Sequence, residues 1–119
     1  MDISVKTTDN CCTFQLKGRL DLTSSSQLKD RVQQSVSEGN KNILLNMSQV
    51  DFINSSGLGT LVSTLKVVRT HNGRIVLSSL APYVQEIFEI TQLSHIFEIF
   101  ETESEACQSF EKAPAVNTV

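Results

Sequence analysis

Near the start of the chain, hydrophobic and polar residues alternate along two short segments. Residues 3–7 and Cys12–Leu20 show the period of two that is typical of strands with one buried face. The Asp9-Asn10 pair between them favours a turn. These segments predict an N-terminal β-hairpin.

A helical spacing follows the hairpin. Apolar residues recur every four positions from Leu28 to Val36, behind a run of N-cap candidates at 23–26, and a Gly-Asn pair ends the pattern. This spacing predicts a helix over roughly 25–38. The short, mostly apolar run at 43–47 then predicts a strand that is buried on both faces, as in a parallel sheet.

The second half of the chain repeats the same succession of strand and helix. Its connections are short, and strand–helix–strand units of this size favour parallel crossovers. The predicted elements are a loop over 48–56, a helix with apolar positions from Leu58 to Val68, a strand at Arg74–Ser78, a helix opening at Ala81-Pro82, a strand at 97–100 and a helix at 104–110.

The order of elements predicts an α/β fold. We expect a mixed, mostly parallel sheet of four to five strands with about four helices, in which the hairpin supplies the antiparallel pair. A single domain is expected over residues 1–112, with residues 113–119 as a flexible C-terminal tail. A chain of 119 residues suits one such domain and needs no disulfide or metal to fold.

Charge and hydropathy narrow the range of partners. The formal net charge of −3 argues against nucleic acid, whose phosphates attract a surplus of Lys and Arg. Residues 1–85 carry six acids and nine bases, whereas residues 86–119 carry seven acids and one base, which gives an acidic surface that serves either solubility or a partner. No apolar run approaches the ~20 residues of a membrane span, and no signal peptide is visible, so we expect a cytoplasmic protein without membrane contact.

The cysteines and histidines form no ligand or catalytic pattern. Cys11 and Cys12 are adjacent, Cys107 is distant, and no Cys-x-x-Cys spacing occurs. We interpret the three thiols as reduced, each a small hydrophobic or surface residue. His71 and His95 have no acidic or cysteine cluster beside them in sequence, which favours a surface or capping role and predicts no metal site.

The stretch that most resembles a functional site lies between the predicted central strand and the second predicted helix. Asn54, Ser55 and Ser56 stand at the expected start of this helix, and Gly57 and Gly59 keep side chains away from its first turn. Free N–H groups at a helix start stabilise a phosphate. The same residues are also common N-caps, and these residues alone favour ordinary capping over a phosphate site.

Catalytic motifs are absent from this stretch. The serines precede Gly57 instead of lying between two glycines as in a nucleophile elbow, and no phosphate-binding loop with a lysine occurs. No acid, base and nucleophile group together, so the sequence predicts a protein that is not an enzyme.

Several segments together resemble a known family. The chain is similar, over about residues 3–110, to the STAS domain of bacterial anti-sigma factor antagonists. The matching segments are G-R-L-D at 18–21, I-L-L-N-M-S at 43–48, F-I-N-S-S-G-L-G at 52–59, the strand at 73–77, Pro82 with Val84, and F-E-I-T-Q-L at 88–93.

The resemblance implies a phosphorylation switch. Its phosphorylated serine falls on Ser55, and Ser56 at the same helix start is the alternative. The unphosphorylated protein would bind an anti-sigma factor that is also a serine/threonine kinase, phosphorylation would release it, and a PP2C-type phosphatase would reverse the change. ATP would be bound by the kinase, so no cofactor is expected here. The expected partner-binding residues are Asp21, Thr23, Ser24, Asn54, Ser56, Gly57 and Leu58.

Three positions depart from the family pattern. Asn54 replaces an aspartate, Gln92 replaces a glycine and Arg19 replaces an acid. Asn54 can still cap a helix, but it carries no charge next to Ser55, which bears on recognition by the kinase.

Two other functions stay open. One is a constitutive accessory subunit of a transporter or signalling assembly, in which Ser55 is an ordinary cap; the other is a small domain that binds a nucleotide or lipid. The length, close to that of the domain alone, favours a freely diffusing regulator over a transporter tail.

Overall fold

Strands and helices alternate along the chain in the order that the hydrophobic pattern predicts. The structure, a computed structural model, describes residues 1–8 and 11–112, so the predicted turn at 9–10 and the predicted tail at 113–119 lie outside the described residues. The elements are β1 (Asp2–Thr7), β2 (Cys12–Leu20), α1 (Leu22–Ser37), β3 (Asn42–Ile53), α2 (Ser55–Thr70), β4 (Arg74–Ser78), α3 (Pro82–Ile90), a 3₁₀ turn (Leu93–His95), β5 (Glu98–Phe100) and α4 (Glu103–Lys112).

The five strands form one mixed sheet in the order β1-β2-β3-β4-β5. β1 and β2 pair antiparallel from Asp2 opposite Lys17 to Thr7 opposite Cys12, which confirms the predicted hairpin. The other three neighbouring pairs are parallel. The predicted fold class, an α/β domain with a mostly parallel sheet, is therefore confirmed.

The two faces of the sheet carry unequal cores. Successive strand residues point to opposite faces, so Leu45 and Leu77 lie in a large core with the apolar residues of α1, α2 and α3. Leu44 and Val76 point the other way and pack with Ala106 and Phe110 of α4. One face is thus covered by three helices, and the other by α4.

β3 is longer than the sequence predicts. The expected loop at 48–56 is wrong, because the strand continues to Ile53 and α2 begins at Ser55. Val50 and Ile53 are buried in the large core, and this part of β3 still pairs with β2. Ser48, Gln49 and Asp51 are exposed, so the strand looks polar in sequence although its backbone belongs to the sheet.

α1 begins earlier than predicted, at Leu22 instead of residue 25. The N-cap is Asp21, and the residues at 23–26 that were expected to cap the helix all lie within it. In the described part of the chain, no helix has the length and apolar character needed to cross a membrane.

Candidate functional site: two helix starts at one edge of the sheet

The carboxyl ends of β2 and β3 meet at one edge of the sheet. Leu20 and Ile53, the last residues of these strands, are partners in the parallel ladder, and the Asn54 N–H donates to the Leu20 carbonyl at 3.4 Å. The residue that follows each strand is the N-cap of the next helix: Asp21 caps α1, and Asn54 caps α2. The starts of α1 and α2 therefore lie side by side.

The start of α1 is closed by a reciprocal pair of hydrogen bonds. The Ser24 N–H donates to the Asp21 carboxylate at 3.2 Å, and the Asp21 N–H donates to the Ser24 hydroxyl oxygen at 2.9 Å. The Ser24 hydroxyl in turn donates to the Arg19 carbonyl at 2.6 Å. This capping box satisfies two N–H groups at once and explains why the helix begins here and not at residue 25.

The same box sets the charge state of Asp21. The Ser24 N–H, then the Ser24 hydroxyl, and to a smaller extent the Arg19 charge hold the pKa of the Asp21 carboxyl below its ordinary value of 3.8. Asp21 is therefore ionised at neutral pH. Its negative charge lies at the positive end of the α1 dipole, where it stabilises the helix.

The start of α2 has a single capping hydrogen bond instead of a reciprocal pair. The Gly57 N–H donates to the side-chain oxygen of Asn54 at 2.9 Å. Ser55 and Ser56 follow as the first two helical residues, and both are exposed. Across the described residues, no hydrogen bond engages either hydroxyl. Ser55 is therefore not the cap, so the reading in which it serves as an ordinary cap is wrong.

Gly57 brings α2 into close contact with the end of β2. A Cβ atom at this position would lie 2.2 Å from the Leu20 carbonyl oxygen, far inside any real contact, whereas a Cβ at Gly59 would meet nothing within 4 Å. Position 57 thus requires glycine, because the first turn of α2 rests against the backbone that leads to Asp21.

A cation–π pair lies beside the two helix starts. The Arg19 guanidinium is 3.8 Å from the centroid of the Phe52 ring, and the two residues are partners in the β2–β3 ladder. Leu22, the first residue of α1, is a large apolar side chain with 66% of its area exposed. In the sequence, Arg19 and Phe52 stand only within the family motifs and Leu22 has no distinguishing pattern, so their place at this surface was not predicted.

The predicted site residues fall into three groups by exposure. Thr23, Ser55 and Ser56 are exposed, while Asp21, Asn54 and Leu58 are partly exposed. Ser24 and Gly57 are buried, so they can support a contact surface but present little area to a partner. All eight residues belong to the two adjacent helix starts.

Neither histidine belongs to this edge. The Nδ1 atom of His71 lies 2.9 Å from the Val67 carbonyl at the far end of α2, and His95 is in the 3₁₀ turn. Over residues 1–8 and 11–112, no three His, Cys, Asp or Glu side chains group closely enough to hold a metal ion.

The fold and this edge define an α/β domain in which two capped helix starts and a pair of serines share one surface. The model of the STAS domain family matches residues 2–106, so the chain belongs to that family. This finding confirms the resemblance expected from the sequence motifs.

Several of the proteins that this chain is similar to are named as anti-sigma factor antagonists. The anti-sigma-B factor antagonist of Staphylococcus aureus is 27% identical over 103 residues, which cover 85% of this chain and 95% of the relative. The crystal structure of TM1081 from Thermotoga maritima matches with a TM-score of 0.84 at 26% identity, over 92% of this chain and 94% of that one. The phosphorylated form of SpoIIAA from Bacillus shares the fold, with a TM-score of 0.70 at 22% identity, over 90% and 97% of the two chains.

Proposed function

We propose that this protein is an anti-sigma factor antagonist that is switched by phosphorylation of Ser55. The observation that carries the proposal is the exposed Ser55 hydroxyl, which makes no hydrogen bond within the described chain and stands at the first position of α2. Capping is done by Asn54, so modification of Ser55 leaves the helix start intact. A phosphorylated structure of one family member supports this choice of chemistry.

The start of α2 suits a phosphate. The free N–H groups of the first turn and the positive end of the helix dipole stabilise an anion there. Asn54 adds no negative charge beside the phosphate, whereas Asp21 on the neighbouring helix start does carry one. The phosphate on Ser55 would therefore be stabilised by the start of its own helix, and its N-cap would add no charge repulsion.

The unmodified edge presents a surface that a protein partner can cover. Leu22 and Leu58 supply apolar area, and Thr23, Ser55 and Ser56 supply small polar groups around them. A phosphate would add about −1.5 to −2 charges and its own bulk in the middle of this surface. Partner groups that fit the hydroxyl would then lose their contact, and any carboxylate opposite would be repelled.

The partners that follow are an anti-sigma factor with serine/threonine kinase activity and a PP2C-type phosphatase that removes the phosphate. The kinase would bind ATP, so this protein needs no cofactor and performs no catalysis of its own. We place the exchange in the cytoplasm, without nucleic acid or membrane as a partner.

The test is phosphorylation of the purified chain by a kinase–anti-sigma factor encoded in the same genome. Wild type and Ser56→Ala should each take up one phosphate, and Ser55→Ala should take up none. In binding assays, Ser55→Asp should weaken the complex by at least about tenfold, since a charge enters the contact surface. Phosphate on Ser56 alone, or no transfer from any such kinase, would overturn the assignment.

The neutral Asn54 favours one competing function, that of a constitutive interaction subunit. In that case a pull-down would recover the same partner with wild type, Ser55→Ala and Ser55→Asp. Equal recovery of one partner by all three forms would replace the switch with a permanent complex.

A further inference from the structure

Two cysteines that are 96 residues apart in sequence meet on the face of the sheet covered by α4. The Sγ atoms of Cys11 and Cys107 are 3.0 Å apart, and both thiols are free. A disulfide bond is about 2.05 Å long, so closure needs a movement of roughly 1 Å. Cys11 is buried just before β2, whereas Cys107 on α4 is partly exposed.

The neighbouring Cys12 is excluded from this pair by the alternation of the strand. Its side chain is buried in the large core on the opposite face, where its Sγ lies 3.8 Å from the Ser35 hydroxyl. Cys11 packs instead in the small core beneath α4, close to Cys107. The adjacent cysteines therefore differ completely in what they can react with.

We propose that Cys11 and Cys107 are an oxidation site, and that a hydroperoxide converts them to an intramolecular disulfide which fastens α4 to the sheet. The Cys107 thiolate, being the more accessible, attacks one oxygen of the peroxide. The O–O bond breaks, an alcohol or water leaves, and Cys107 becomes a sulfenic acid. The Cys11 sulfur, after losing its proton, attacks the Cys107 sulfur and displaces hydroxide, which leaves as water. Two thiols are oxidised and one peroxide is reduced.

The surroundings of Cys107 make this reaction slow at neutral pH. The contact with Cys11, burial, and the negative charges of Glu111 and Glu103 raise the pKa of Cys107 to about 11. Because the thiolate is the nucleophile, the oxidation rate should rise by about tenfold for each unit by which the pH increases, up to that pKa. The pair would thus respond to sustained peroxide and remain reduced otherwise.

The expected consequence is a more firmly attached α4. This helix is held by Ala106 and Phe110 in the small core, and by hydrogen bonds from Asn46 to Glu103 at 2.8 Å and from Arg74 to the Ser109 carbonyl at 3.0 Å. A covalent link between such distant positions restricts the unfolded chain strongly.

The disulfide would leave the partner surface untouched. Cys11 lies at the amino end of β2, and the helix starts lie at its carboxyl end, nine strand residues away or about 30 Å. Oxidation should therefore change stability while leaving the affinity for the anti-sigma factor within about twofold. The proposal does not depend on the switch at Ser55.

The test treats the reduced full chain with hydrogen peroxide at pH 8 to 9 and follows intact mass and thiol content. Wild type should lose two hydrogens, two of its three thiols should disappear, and peptide mapping should find Cys11 linked to Cys107. The melting temperature should rise by about 5 °C or more and return with a dithiol reductant. Cys107→Ser should show none of these changes, and its partly exposed position makes it a safer variant than a substitution at buried Cys11.

Other products would overturn the proposal. A disulfide between two molecules, a link involving Cys12, or sulfinic acid at Cys107 without a crosslink would each show that the pair does not close. Equal melting temperatures of the oxidised and reduced forms would show that α4 gains nothing from the link.

Discussion

The starts of α1 and α2 share one construction, yet one is closed and the other is open. Each follows a parallel strand, and each has an Asx side chain that accepts a hydrogen bond from the backbone N–H three residues further on. At α1 that third residue is Ser24, which is buried and whose hydroxyl oxygen accepts a hydrogen bond from the Asp21 N–H. At α2 it is Gly57, which has no side chain to accept such a bond, and the serines before it are exposed.

This difference shows how one edge can combine a fixed helix start with an exposed hydroxyl that makes no hydrogen bond in the described chain. The closed start fixes Asp21 and the end of β2, and α2 rests on that backbone through Gly57. Because the α2 cap is supplied by Asn54, the Ser55 hydroxyl has no structural task. A serine with no structural task can be altered without unfolding the domain, which is what a reversible switch requires.

The largest effect is expected from filling the contact between the first turn of α2 and the end of β2. Gly57→Ala places a Cβ atom 2.2 Å from the Leu20 carbonyl oxygen, so α2 must shift, and the free energy of unfolding should fall by about 3 kcal/mol. Gly59→Ala has open space and should raise it by about 0.5–1 kcal/mol through helix propensity. Urea unfolding of both variants measures the contrast, and equal effects would show that the first turn of α2 does not rest against the end of β2.

The next effect separates capping from modification at α2. Asn54→Ala removes the acceptor for the Gly57 N–H and should lower the free energy of unfolding by about 1 kcal/mol. Ser55→Ala should leave it unchanged within about 0.5 kcal/mol, since an exposed hydroxyl without a partner is lost. If Ser55→Ala were the more damaging substitution in urea unfolding, the assignment of the cap to Asn54 would be wrong.

The order of elements was predictable because apolar runs and helical spacing are local properties of the sequence. The position of Ser55 at the start of α2 was also predictable, since serines and glycines directly precede a helical spacing of apolar residues, although the loop expected before it is strand. The cap at Asp21 could not be singled out because a run of four hydroxyl residues at 23–26 offers several equivalent caps, and only the hydrogen bonds of Ser24 to Asp21 and to the Arg19 carbonyl select one. The pairing of Cys11 with Cys107 depends on how α4 packs, which no local pattern encodes.

A smaller effect tests the charge difference between the two caps. Asn54→Asp places a carboxylate at the positive end of the α2 dipole and should stabilise the unphosphorylated protein by roughly 0.3–1 kcal/mol at pH 7. Phosphate on Ser55 should reduce or reverse this gain, because two negative groups then share one helix start. Urea unfolding of the unphosphorylated and phosphorylated forms measures this gain, and Asn54→Ser is the neutral capping control. A gain that phosphorylation leaves unchanged would show that the phosphate on Ser55 does not interact with the charge at the α2 cap.

The smallest effect concerns the closed start and depends on pH. The pKa of Asp21 is lower in the folded protein than its ordinary value of 3.8, because the Ser24 N–H and hydroxyl stabilise the carboxylate. The stabilisation from its ionisation is therefore complete above about pH 5 and is lost as the pH falls below 3.8 through the folded pKa. Asp21→Asn keeps a capping side chain but removes this titration, so its stability deficit at pH 7 should shrink by pH 3. Urea midpoints at pH 7, 5 and 3 measure the difference, and a deficit that stays constant across this range would mean that the carboxylate charge contributes nothing to the closed helix start.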